Sequence, residues 1–204
     1  MLTLNPVIQT NAPGMFSIES DGLIVGTAYP DPAARFALSG GWLATTETLP
    51  MFGGVGIAEN IPQEQSAGPP FKTDVSLGGI IARAADYPHL TGFSVFDQNY
   101  AAINSPQSPC PAVSPGMLVN FYRLGSGARV ALAIDPTLIS LEGGLITQQV
   151  SWDFTNQRII AFATTALNVR ILAVKATRCM VPVYTSSTGF VTWNYNGAAA
   201  VCLL

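Results

Sequence analysis

A chain of 204 residues is long enough to bury roughly 70% of its unfolded surface in one core. Charged residues make up only 10% of it against the usual roughly 25%, the net charge is −3, and no segment gathers the basic side chains. That balance argues against nucleic-acid binding, which needs a basic face to displace counterions.

Despite a positive mean hydropathy, there is no run of about 18 apolar residues to cross a membrane. The best candidate, 159–174, is interrupted by Thr164, Thr165, Asn168 and Arg170. The opening MLTLNPVIQT lacks the basic and apolar regions of a secretory signal, so the expectation is a protein made in the cytoplasm with no membrane partner. A soluble monomer this poor in charge would tend to self-associate. Neighbouring subunits are therefore expected to cover much of the surface, as in a homodimer or homotrimer.

Helix signals are almost absent, and the apolar pattern alternates, which predicts a mainly β fold, a β-barrel or β-sandwich with long loops and little helix. Residues 1–15 carry Asn5-Pro6 and Ala12-Pro13-Gly14 with little to pack, and read as an extended N-terminal arm. Residues 16–204 then form a single β domain. Its first predicted element is a hairpin of 16–19 and 23–27 about Ser20-Asp21-Gly22.

Gly40 to Ile57, GGWLATTETLPMFGGVGI, places Trp42, Met51 and Phe52 between two glycine pairs with Glu47 as the one charge. Such glycines suit a bulge or a close backbone approach. A strand is predicted over 54–59, a proline-rich loop over 62–72, a buried strand over 75–84 with Gly78-Gly79 as a bulge, and a further strand over 90–96. The segment 97–116 holds four prolines among 106–115 and reads as a functional loop or binding arm.

In the second half, 117–124 and 129–134 are predicted to pair about Gly125-Ser126-Gly127. Residues 148–154 and 158–162 form another hairpin, with Val150, Trp152 and Phe154 on one face and Ser151, Asp153 and Thr155 on the other. Strands follow at 169–175 and 179–184. The strongest hairpin signal, Asn196-Gly197, predicts a last hairpin of 189–193 with 198–203.

Catalytic patterns are weak. His89, the one histidine, lies in the turn Tyr87-Pro88-His89-Leu90, and Cys110, Cys179 and Cys202 show neither ligand spacing nor a nucleophile–base arrangement. Asp135 and Glu142 bracket 136–141 in the manner of a glycosidase pair, and solvated strand ends explain them equally well. No P-loop, dinucleotide fingerprint or nucleophile elbow appears. The expectation is a protein that is not an enzyme and carries no cofactor or metal.

Three stretches support a resemblance: LATTETLPMFGGVGIAENIP at 43–62, LVNFYRLGSGARVALAIDPTLISLEGGLITQQVSWDF at 118–154, and GFVTWNYNGAAAVCLL at 189–204. The chain resembles virion structural proteins of tailed bacteriophages, in particular the head decoration or cement proteins. The resemblance implies a β-barrel or β-sandwich that oligomerises on the capsid surface and clamps the major capsid protein. It implies no catalytic residues.

Aromatic and methionine side chains are enriched in interface cores. On that ground the expected interface residues are Trp42, Met51, Phe52, Phe93, Phe96 and Tyr100. The alternatives are another phage component, such as tail tube, baseplate or fibre, and a carbohydrate- or receptor-binding β module with Trp152 and Trp193 as its platforms.

Overall fold

The computed structural model describes residues 23–29, 34–60, 79–96 and 110–204. Among these residues the strands are β1 (Ala28–Tyr29), β2 (Leu38–Leu43), β3 (Gly56–Asn60), β4 (Ile80–Arg83), β5 (Gly92–Val95), β6 (Leu118–Arg123), β7 (Arg129–Ala133), β8 (Val150–Asp153), β9 (Arg158–Ala161), β10 (Arg170–Thr185) and β11 (Phe190–Leu203). Two short 3-10 turns, Arg35–Ala37 and Pro136–Leu141, are the helical elements among the described residues. The mainly β prediction is borne out, with a closed barrel at its centre.

The barrel runs in the order β2-β4-β3-β5-β6 and closes through β6 on β2. Only the β2–β4 pair is parallel. A barrel of eight strands is just wide enough for its own side chains or one small ligand, so a lumen of five strands is filled by side chains alone. Leu43, Val55, Ile57, Ile81, Val119 and Phe121 form that filling, with Met51 and Phe52 below it. Gly41 is small for this reason, since a Cβ there would lie 2.5 Å from Ile81 Cγ1.

A four-stranded sheet, β1-β7-β11-β10, packs beside the barrel, and the β8–β9 hairpin forms a third element. Between them lies a second core, in which Phe93, Val95, Tyr122 and Ala58 meet Val130, Leu132, Trp152 and Ile159. Alternation makes this possible. Ile57 and Phe121 point into the lumen, while Ala58 and Tyr122, one position on, point out against the sheet. Burying Phe93 or Phe121 contributes about 1.5–3 kcal/mol each.

Several boundaries differ from those predicted. Gly125-Ser126-Gly127 is not a hairpin turn: β6 belongs to the barrel and β7 to the sheet, and the turn passes the chain between them. Its glycines adopt φ +83° and +73°, and Gly127 N–H donates to the Leu204 carbonyl, tying the last residue to the crossing. The strands predicted at 169–175 and 179–184 are one, β10, which pairs with β11 along its length and spans about 50 Å.

Asn196-Gly197 lies inside β11 and is not a turn; the hairpin turns between Thr185 and Phe190 instead. The pair marks a bulge. Register shifts fall between Lys175 and Cys179 and between Cys179 and Val181, with Arg178 at φ +61° beside them. Gly197 is needed there because a Cβ would lie 2.3 Å from Val181 Cγ2.

The predicted 148–162 hairpin is present as β8–β9, with Ser151 buried. Its hydroxyl donates to the Thr165 carbonyl and accepts from Ala163 N–H. The strand predicted at 75–84 is described only as Ile80–Arg83. The arm at 1–15 and most of the 97–116 loop lie outside the described residues. Where that loop is described it is pinned: Cys110 N–H donates to the Val191 carbonyl, and Val113 bridges Met51.

Candidate interaction surface

The barrel's outer face has two halves with different fates. One half carries Ala58, Phe93, Val95 and Tyr122 and is covered by this chain's own sheet. The other half takes no part in that core. On β2, Leu38, Gly40 and Trp42 share the outward side, and Trp42 stands between Leu118 of β6 and Ile80 of β4. Trp42 is 54% exposed and Leu118 40%, and the adjoining Met117 is 55% exposed. The result is an apolar row across three strands, with no charged side chain in it.

Trp42 is thus on the surface, as an interface residue must be. Met51, Phe52 and Phe93 are not available for such a role, and the expectation is corrected for them. Met51 is 1% and Phe93 0% exposed. Phe52 is buried beneath the Arg83 guanidinium, whose Cζ lies 5.1 Å from its ring centroid. Phe96 is partly buried against the barrel core, 5.7 Å from the Trp193 ring. Tyr100 lies outside the described residues.

The second glycine pair organises the subunit's interior. Ser94 Oγ donates to the Phe52 carbonyl and accepts from Val55 N–H, which fixes the turn between them with Gly54 at φ +83°. A Cβ on Gly53 would collide with Phe96 at 2.6 Å and with Gly26 Cα at 2.8 Å. Close backbone approach is therefore the role of Gly53, and it occurs within the subunit.

The residues weighed for catalysis are engaged elsewhere. His89 is exposed and pairs through Nδ1 with Asp86, whose carboxyl that hydrogen bond holds below its usual range. Asp135 caps the 3-10 turn by accepting from Thr137 N–H and Oγ1–H, and pairs with Arg158 at 3.0 Å. These Thr137 hydrogen bonds, with Arg158 adding to them, keep it ionised below the ordinary aspartate range. All three cysteines are buried, and none is in a disulfide. Among the described residues, no group of three or more His, Cys, Asp or Glu is placed to hold a metal ion, and no helix is long and apolar enough to cross a membrane.

Trp152 is 3% exposed and packs edge-on to Phe93 at 4.8 Å, so it offers no sugar platform. Trp193 is partly buried in the barrel core cluster.

One feature was not predicted. A cleft of about 380 Å³ opens where the barrel mouth, the turn between β8 and β9, and the distal half of β10–β11 meet. Leu49, Phe52, Arg83, Asn156, Tyr184 and Asn194 are among its walls. Gln157 locks the turn to the barrel: at φ +52°, it accepts from Gly56 N–H through Oε1 at 2.8 Å and donates through Nε2 to the Phe154 carbonyl. Only tertiary contacts assemble these walls, and no local motif announces them.

No family model, curated protein or solved structure matches the chain.

Proposed function

We propose that the chain is a virion structural protein of a tailed bacteriophage, a decoration or cement protein that binds and stabilises the major capsid lattice. The observation that carries this reading is the outward-facing apolar row Leu118–Trp42–Ile80 on a chain with so little charge. Scattered surface apolar residues are ordinary, but a contiguous row on the barrel's outer face is suited to burial against another protein.

In this role the chemistry is binding. The barrel and its flanking sheet supply a rigid platform, and the outer half-face is buried against capsid subunits or a second copy. A standard interface buries about 1,600 Å² in total. Repetition by the lattice turns a modest individual affinity into a large cumulative one. A sugar-binding reading gains no support, because the neighbours of Trp42 are aliphatic rather than polar.

The test compares particles assembled with and without the protein. Loss of heat or low-salt resistance in its absence is expected, and equal survival overturns the cementing role. Imaging of the native particle then separates a head position from tail tube, baseplate or fibre.

A further inference from the structure

Arg83 sits at the mouth of the barrel, mostly buried, in a setting that leaves its charge short of partners. Its Nη2 donates to the Pro50 carbonyl at 2.6 Å, and its guanidinium lies over the Phe52 ring. Its Nε is buried with no hydrogen-bond partner. Among the described residues it forms no ion pair; the nearby carboxylate of Glu47 instead accepts from the Arg83 backbone N–H at 3.0 Å.

A guanidinium carries five donors in a fixed fork. Withdrawing it from water without a counter-charge is costly, and the cost is recovered when a carboxylate or comparable anion completes the pairing. Burial depresses the pKa of Arg83, with Glu47 and Tyr184 opposing that shift. The group remains a cation at any physiological pH.

The space beside it has the form of a site. At about 380 Å³ the cleft falls in the range of small-ligand pockets, about 300–1,000 Å³. Its walls combine apolar surface from Leu49, Phe52 and Val183 with hydrogen-bonding groups on Tyr184, Asn194 and Asn156. The second arginine on the wall, Arg158, is already paired with Asp135, whereas Arg83 has the Glu47 carboxylate near it but makes no direct ion pair among the described residues.

We propose that this cleft binds a single carboxylate attached to an apolar body, with Arg83 as the cation that receives it and Tyr184 and Asn194 completing its hydrogen bonds. The site is distinct from the outer face of Trp42 and does not depend on what that face docks against. The carboxylate has two sources: a free small acid, or the carboxyl terminus of a polypeptide.

Binding to the full chain is measured by calorimetry with sodium benzoate, neutral benzamide, inorganic phosphate, and one short peptide ending in phenylalanine, prepared as the free acid and as the amide. Saturable binding of benzoate or of the free-acid peptide is expected, with neither benzamide nor the amide binding. Preference for the peptide acid over benzoate assigns a polypeptide terminus, and the reverse assigns a small acid. Arg83→Gln should weaken binding at least tenfold, the loss of one charge-assisted contact.

Should Arg83→Gln fail to fold, Asn194→Asp serves, since position 194 is exposed and a carboxylate there competes for Arg83. It should weaken benzoate several-fold. No binding by either acid, equal binding by benzamide, tighter binding by phosphate, or affinity unchanged in the variant that folds would each overturn the proposal.

Discussion

Arg123 and Glu59 form a two-pronged ion pair that ties β6 to β3 across one end of the barrel. Nε donates to Oε2 at 2.8 Å and Nη2 to Oε1 at 2.6 Å, while Nη1 donates to Ser39 Oγ on β2 at 2.8 Å. One side chain thus joins β6 to its neighbour β2 and to β3, two places away around the barrel. The hydrogen bond from Arg123 is the main cause that holds the Glu59 carboxyl below its usual range, against an opposing effect of burial.

Stability should therefore depend on pH through this pair. A depressed folded-state pKa contributes stability that is fully present above the unfolded value of about 4.3 and is lost as pH falls through the lower folded value. Arg123 is about half exposed, so the contribution is discounted to about 1 kcal/mol. Arg123→Met should cost about that much in urea unfolding at pH 7. At a pH below the folded pKa the variant and the parent should converge; a difference that persists there would assign the loss to packing on Phe121 instead.

Gly92 and Gly116 separate two reasons for a glycine. A Cβ at Gly92 would lie 2.2 Å from the Tyr122 carbonyl oxygen, a backbone atom of the neighbouring strand that cannot rotate away. Gly116 has φ +80° and nothing within 4 Å of a would-be Cβ. Gly92→Ala should thus cost about 3 kcal/mol or more, since it forces β5 and β6 apart. Gly116→Ala should cost about 1–2 kcal/mol, the strain of a left-handed alanine alone. Thermal unfolding of the two variants side by side checks the order.

The parts of this fold that local chemistry dictates were readable from the residues. Period-two alternation gave the strand character throughout, and the β8–β9 hairpin follows from apolar Val150 and Trp152 either side of Ser151 with Thr155-Asn156-Gln157 between the strands. Asn196-Gly197 misleads because a left-handed-tolerant pair suits a bulge as well as a turn. Only the partner strand, with Val181 against Gly197, decides which. Likewise Gly125-Ser126-Gly127 could not reveal that its flanking strands enter different sheets, since that choice rests on contacts with β2 and β11. Met51 and Phe93 could not be told from Trp42 as surface or core, because a closed barrel flanked by a second sheet buries both faces of its strands on one side and only the lumen face on the other. The Arg83 cleft was unreadable for the same reason: its walls come from segments roughly a hundred residues apart.

Trp42 and Phe93 should respond to substitution in opposite ways. Phe93 lies edge-on to Trp152 at the centre of the second core, and Phe93→Ala should cost about 3–5 kcal/mol of stability. Trp42→Ser together with Leu118→Ser removes exposed apolar surface, and should change stability by well under that amount. Self-association measured by sedimentation, or binding to assembled capsid, should instead fall sharply. An unfolded double variant would show that the outer row supports the barrel itself.

The three cysteines should be silent toward thiol reagents until the chain unfolds. Cys202 lies within the β7–β11 pairing, fully enclosed, and burial raises its thiol pKa to about 12. Cys110 is raised for the same reason, where it packs against the barrel core. Cys179 is 0% exposed inside the bulge of β10. A nucleophilic thiolate needs access, and none of the three sites supplies it. A disulfide-exchange reagent at pH 8 should therefore label none of the three in the native protein within minutes, and all three in denaturant. Selective native labelling of Cys179 would show that the bulge opens locally, well below the free energy of global unfolding.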